Sequence, residues 1–378
     1  MFALLASSAT AHAASMPHIA AGFTIARIAT VEGARELAFA PNGDLFVGTS
    51  GSDVYIVPNA DASAPGRPRV FAHFNDSPAA GVALNDGFLY VGTQFAVWRI
   101  PYRTADRSAR AAPEKLAPVR TSGISSDHVT TSVAVAKGLL YASVGASCDA
   151  CVPEVDDSRA TIGRVANGKY EIVARNIRNA IALATNENTG SLWAGVAGED
   201  DLPLGHPYEF LDDVIAHPLP ANYGWPYCYE DRKSNPVSRW SGHDCRGSVV
   251  PRIVMPAYET PIGAVFYPQH PQGRYAFPAK YAGGVFVTLH GSWHGPAQGF
   301  SGFSPPRVLF VAMHGDSPAH PVDWSNAATQ WSEFLGGFQS GGLEARIGRP
   351  TGIAVGPQGD LFVADDDQGA VYRIRPAR

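Results

Sequence analysis

The feature that most constrains this chain is a repeat. A short apolar strand, a glycine-bearing turn and a second apolar strand recur along its 378 residues. The unit reads LAFAPNGDLFVG from Leu37, VALNDGFLYVG from Val82, VAVAKGLLYASVG from Val133, IALATNENTGSLWAG from Ile181 and IAVGPQGDLFVAD from Ile353. A weaker copy starts near Ala264, as AVFYP followed by GGVFVTLHG. The first four copies are spaced by about 45 to 51 residues and the last two by about 80 to 90, which implies inserts. A period of this size is that of a propeller blade, a unit that buries its faces only against its neighbours. Six copies predict an all-β, six-bladed β-propeller.

Further alternating segments fit the same plan. VYIV after Asp53, VWRI after Ala96 and VYRI after Ala370 read as third strands of their blades. The last blade then reaches the C-terminus without a fourth strand. Phe23 to Val31, FTIARIATV, alternates like a strand and precedes the first repeat. It is predicted to supply that missing outer strand and close the ring, leaving no open edge. A closed barrel or a sandwich is the competing architecture, but neither explains the blade-length spacing. The 39 glycines and 30 prolines, spread along the chain, suit many short strands and turns.

Residues 23–378 are therefore expected to form one domain. Residues 1–14 hold a short apolar run and an Ala11-His12-Ala13 step, the pattern of a secretory signal remnant cleaved near Ala13. That predicts a periplasmic or secreted protein. No later stretch is long and apolar enough to span a membrane. A net charge of -5 argues against a nucleic-acid partner. Four cysteines fit an oxidising compartment. Cys148 with Cys151 and Cys228 with Cys245 is the simplest disulfide scheme, though three pairings and a four-cysteine zinc site are open.

In a propeller, the loops that lead into the innermost strands and those that follow the second strands share one face around the central channel. The residues leading into the six first strands are Arg35-Glu36, Ala80-Gly81, His128 to Ser132, Arg178-Asn179, Pro261 to Gly263 and Arg349 to Thr351. Three arginines and a histidine thus occupy one phase of the repeat and are expected to converge. Converging arginines repel unless an anion lies between them, and guanidinium forks suit carboxylate or phosphate. The loops after the second strands add Glu199-Asp200-Asp201, Asp365-Asp366-Asp367, and His290, Ser292 and Trp293. Paired carboxylates with loop carbonyls suit calcium. Each feature also has a plainer reading. Arginines before strands often cap carbonyls, Asp-rich tips often serve turns, a lone histidine is often structural, and Trp193, Trp225 and Phe286 suit the core.

Taken with these motifs, the chain resembles the soluble pyrroloquinoline quinone (PQQ) dependent sugar dehydrogenases, closest to the sorbosone dehydrogenase-like branch. The matching stretches are HVTTSVAVAKGLLYASVGASCDAC from His128, ARNIRNAIALATNENTGSLWAGVAGEDDLP from Ala174, NYGWPYCYED from Asn222, GGVFVTLHGSW from Gly283 and GRPTGIAVGPQGDLFVADD from Gly348. The NYGWP and LHGSW stretches are the specific ones. The resemblance implies a propeller that holds PQQ and calcium on its top face. It casts His128 as the base that takes a proton from a substrate hydroxyl while a hydride passes to the quinone. It implies cofactor contacts from Arg35, Arg178, Asn179, His290, Ser292, Arg349 and Thr351, and a metal loop at Gly198, Glu199, Asp200 and Asp201. The sequence departs from the pattern at Thr130 to Ser132, at His294-Gly295 and at Thr351, where the family commonly has basic residues.

The leading expectation is an exported dehydrogenase that oxidises an aldose, aldehyde or polyol hydroxyl and passes electrons to a separate acceptor, a cytochrome or quinone. A calcium-dependent lactonase using Glu36, Asn179 and Asp200 and a non-catalytic propeller that binds an anion or sugar are the alternatives.

Overall fold

A computed structural model of the chain describes residues 16–120, 128–200, 202–203, 205–293 and 304–377. The proposed signal segment, residues 1–14, lies outside them, as does Asp201. Six sheets of at least four strands, antiparallel except for one short parallel pairing, surround a central channel. Their innermost strands are Ala34–Phe39, Gly81–Asn85, Val133–Ala136, Asn179–Asn186, Pro261–Phe266 and Pro350–Val355, each touching the next in a closed circle. These are the six first strands of the repeat, so the architecture is the predicted six-bladed propeller.

The blades hold together through six apolar clusters, each built by two neighbours. Blades 1 and 2 share Phe46, Ile56 and Phe71 with Leu89 and Ile100. Blades 5 and 6 share Tyr267, Phe286 and Phe334 with Leu361, Val363 and Ile374. Trp193 and Phe286 are fully buried. A blade taken alone would expose both faces of its sheet, which is why the repeat needs the whole ring.

Ring closure follows the sequence expectation. Phe23–Thr30 pairs antiparallel with Ala370–Pro376 as the outermost strand of blade 6, from Phe23 opposite Pro376 to Thr30 opposite Ala370. Phe23 then packs edge-on against Phe334 of blade 5 and close to Phe277. Just upstream, His18–Ile19 pairs with Trp331–Gly336, the outer strand of blade 5. The N-terminal segment therefore fastens both blades on either side of the seam.

The blade 4 insert also positions the functional face. After Glu209–Asp213 the chain climbs the outside of blade 3, where Ala221–Asn222 runs parallel to Lys169–Arg175. It delivers NYGWP to the top, where the buried Trp225 indole donates to the Asp149 carbonyl at 3.2 Å. Disulfides Cys148–Cys151 and Cys228–Cys245 close the loops on either side of this contact. The zinc alternative is thereby excluded, because all four thiols are bonded to each other. Among the described residues no helix is long and apolar enough to cross a membrane.

Candidate functional site

The upper ends of the inner strands share a device. In blades 1, 4, 5 and 6 the pairing with the second strand slips there, between Ala34 and Leu37, Ala180 and Ala182, Pro261 and Gly263, and Pro350 and Ile353. An extra residue bends the strand and re-aims its side chains. Arg35 lies within one such slip, and Arg178 and Asn179 lie just before another. The loops feeding these strands are drawn together by backbone bonds: the Ala146 amide donates to the Arg178 carbonyl at 2.7 Å.

Two adjoining cavities open on this top face. One, of ≈ 470 Å³, is lined by Arg35, Gln94, His128, Thr130 and Asn179 among others. The second, of ≈ 530 Å³, is lined by His128, Asp149, Arg178, Asn179, Asp200 and Ser292 among others, with Trp293 at its mouth. His128 and Asn179 belong to both and form the shared wall. Glycine at 145 makes this wall possible: a Cβ there would lie 2.5 Å from both Asn179 Oδ1 and His128 Cβ.

His128 has a defined tautomer. Its Nδ1 lies 2.8 Å from the Ala146 carbonyl. A carbonyl can only accept, so Nδ1 carries the hydrogen and Nε2 is the acceptor of the ring.

The arginines converge on this face, but they are not bare. Arg35 donates from Nη1 to Asp366 Oδ2 at 2.9 Å. Arg178 donates from Nη2 to Asp149 Oδ1 at 2.7 Å and from Nε to the Asp149 carbonyl at 3.0 Å. Asp149 also accepts from the Asp200 amide at 2.8 Å, which makes it the hub of this corner. Part of the negative charge expected between the arginines is supplied by the chain itself. Carboxylates of the chain already neutralise two of them. Arg349 turns away, donating from Nε and Nη2 to the His290 and Gly291 carbonyls, both at 2.9 Å. Burial and the neighbouring Arg346 pull its pKa down to about 10.

Other expected residues also face their own structure. His290 donates from Nε2 to Asp366 at 2.9 Å, and burial holds the imidazole pKa down to about 4. Asp366, desolvated but gripped by His290 and Arg35, falls to about 2. Thr351 is buried, and its hydroxyl donates to the Ala34 carbonyl at 2.8 Å. The Glu199 carboxylate is buried and accepts from Asn235 Nδ2 at 2.6 Å. Gly198 and Asp200 line the second cavity. Among the described residues no three His, Cys, Asp or Glu side chains form a group that could hold a metal. The described part of the expected metal loop, Gly198 to Asp200, thus forms no carboxylate cage. Glu36 lines the lower channel, of ≈ 1020 Å³, and does not share a cavity with Asn179 and Asp200 as a hydrolytic metal centre would require.

Several residues of this face were not singled out. Asp149 lay inside the CxxC, where spacing pointed only to a disulfide. Glu209, the first residue of its strand, lines the second cavity, and burial followed by repulsion from Glu259 pushes its carboxyl well up. Arg346 reaches the Ser292 carbonyl at 2.6 Å. It supplies a basic group near Arg349 from outside the repeat register, which is why alignment of the repeats passed over it.

The fold and this face define a class: a six-bladed propeller whose top-face pocket pairs an imidazole and an amide with flanking guanidinium groups. The chain belongs to the TrAA12-like family, whose model matches residues 17–377. It is similar in fold to a Trichoderma reesei protein of Carbohydrate-Active Enzymes Family AA12, at 18% identity and TM-score 0.78, over 98% of this chain and 100% of that one. The holo form of the pyranose dehydrogenase PQQ domain from Coprinopsis cinerea matches at 18% identity and TM-score 0.78, over 95% and 97% of the two chains. The PQQ-bound aldose sugar dehydrogenase of Streptomyces coelicolor matches at 17% identity and TM-score 0.61, over 95% and 99%. No curated protein sequence matches the chain.

Proposed function

We propose that this protein is a PQQ-dependent dehydrogenase that oxidises a sugar or a related aldehyde or polyol hydroxyl, with His128 as the base. The carrying observation is the wall shared by His128 and Asn179 between two cavities, with Arg35 bordering one and Arg178 the other. The combined space is in the range that holds a drug-sized planar ligand. Family membership and the PQQ-bound fold relatives support the same reading.

Held by residues of this wall, PQQ would supply a quinone carbonyl able to accept a hydride. The residues of the chain do the rest. Arg35 and Arg178 flank the pocket with side chains held by Asp366 and Asp149, ready to share their remaining N–H donors with cofactor carboxylates. His128 Nε2 takes the hydroxyl proton of the substrate, and the Ala146 carbonyl steadies the imidazolium that forms. Calcium, as the resemblance implies it, would draw on the carbonyls of Gly198 and Glu199 and on Asp200. The disulfides support export, with residues 1–14 as its signal. Electrons would leave to a separate cytochrome or quinone.

The test is a titration of the purified apoprotein with PQQ, with and without calcium, followed by dye reduction with aldoses and aldehydes. Stoichiometric binding and turnover that His128→Ala abolishes while PQQ stays bound are expected. Absence of PQQ binding under every metal condition would sink the proposal.

A further inference from the structure

The blade 4 insert carries charge of the opposite sign to the rest of the chain. Between residues 231 and 246 stand Arg232, Lys233, Arg239 and Arg246 against Asp231 and Asp244, four cations to two anions. This stretch is at +2 in a chain at -5, which leaves -7 for everything else. All four cations are exposed. Arg246 pairs with Asp244 at 2.8 Å, but the two side chains are 90% and 61% exposed. A pair so wet is worth little and exchanges readily for another carboxylate. Lys233 reaches down to the buried Glu230 at 2.8 Å. Arg232 donates from Nε to the Ser248 carbonyl at 2.9 Å, which fixes the root of its guanidinium and, among the described residues, leaves its Nη groups to solvent. Arg239 lies over the face of Trp240, 5.2 Å from the ring centre.

The lobe is held in shape before any partner arrives. Cys228–Cys245 closes it, and a short hairpin sets Tyr229 opposite Lys233. The Tyr227 ring stacks on the exposed His243 at 3.8 Å and meets the half-buried Trp240 edge-on at 5.9 Å. Aromatic faces and guanidinium groups therefore adjoin on one small surface. Trp240 also packs against the cluster built by Ala146, Ala150, Ala160 and Trp225. Trp225 is the residue that braces Asp149 beside the second cavity. The lobe thus stands next to the functional face and is tied to it.

The chemistry of this surface selects a partner. Guanidinium forks suit carboxylates, and the flat C–H face of a sugar ring packs well on an aromatic side chain. The -7 of the surrounding protein disfavours a densely charged strand such as nucleic acid. A uronic acid polymer carries one carboxylate per sugar, so anionic groups and flat ring faces alternate along it. We infer that residues 227–246 form a binding site for a polyuronate, a polysaccharide built of uronic acid units. Arg232, Arg239 and Arg246 take its carboxylates, and Trp240 and His243 offer stacking faces to its rings. The site holds the glycan beside the second cavity. The inference stands apart from the cofactor reading, because binding is measured on the protein without PQQ.

Calorimetric titration of the cofactor-free protein with a galacturonate oligomer tests the site. Binding should weaken about tenfold as salt is raised through the range that screens exposed charges, and methyl esterification of the same oligomer should abolish it. Arg232→Ala/Arg239→Ala should weaken binding about tenfold, with circular dichroism unchanged because both side chains are exposed. Crystals soaked with the oligomer should show sugar rings against Trp240 or His243, a result that does not depend on the variant. The inference is overturned by absence of binding at low salt, by equal binding of the esterified oligomer, by undiminished binding in the folded double variant, or by sugar density confined to other surfaces. Tighter binding of single-stranded DNA than of the galacturonate oligomer would overturn it as well, since the lobe would then read charge alone.

Discussion

Replacing Asp366 by Asn keeps the shape of the side chain but removes its charge and one of its two acceptor oxygens, so the contacts with His290 and Arg35 cannot both be kept and Arg35 loses its counter-ion. Both side chains of the pair are mostly buried, at 15% and 17% exposure, so solvent screens them weakly. A carboxyl moved from 3.8 to about 2 represents about 2 kcal/mol at ~1.36 kcal/mol per decade. Thermal unfolding entropy of about 2.1 cal/mol/K per residue over 378 residues gives about 0.8 kcal/mol/K. Asp366→Asn should therefore lower Tm by roughly 2 to 3 °C at pH 7. Because the folded pKa lies below the unfolded one, this contribution is complete above about pH 4 and fades as pH falls toward 2. Differential scanning calorimetry of both proteins from pH 7 to pH 3 measures it. A Tm within 1 °C of wild type at pH 7, or a gap that does not narrow between pH 5 and pH 3, would refute the pairing argument.

Three further outcomes follow from the structure. Burial pushes the Glu36 carboxyl up to about 8, so the wild type loses stability as pH rises from 4.5 toward 8, and Glu36→Gln should gain in Tm relative to it across that window; an unchanged difference between pH 5 and pH 8 would contradict this. Gly145→Ala should place a methyl against His128 and Asn179 and cut turnover at least tenfold while circular dichroism stays native; wild-type kinetics would show the wall to be loose. Removing Cys228–Cys245, a separation of 17 residues, should cost about 3 kcal/mol by loop entropy, or roughly 4 °C, and a Cys228→Ala/Cys245→Ala Tm equal to wild type would count against it.

Much of the architecture was legible because a propeller writes its period into the chain. The apolar–glycine–apolar unit returned at each inner strand, and the alternation of FTIARIATV marked the closing strand before any pairing was known. Cysteine pairing was legible only as the simplest of several schemes. The site was legible as a set of positions: the register of the repeat put Arg35, His128, Arg178 and Asn179 on one face. It could not say where each side chain would point. Arg349 shares the register yet bends to the His290 and Gly291 carbonyls, and Thr351 spends its hydroxyl on Ala34. Asp149 and Arg346 lay outside the register, in loops whose course depends on contacts far away in sequence.

The sequence by itself thus determined that the chain closes into six blades, and which face carries the polar residues, because strand alternation and blade period are local properties. Tertiary structure decided the charge of that face. Asp366 reaches Arg35 across 331 residues and Asp149 reaches Arg178 across 29. Compensation between charges depends on distance and burial in space, and spacing along the chain carries neither.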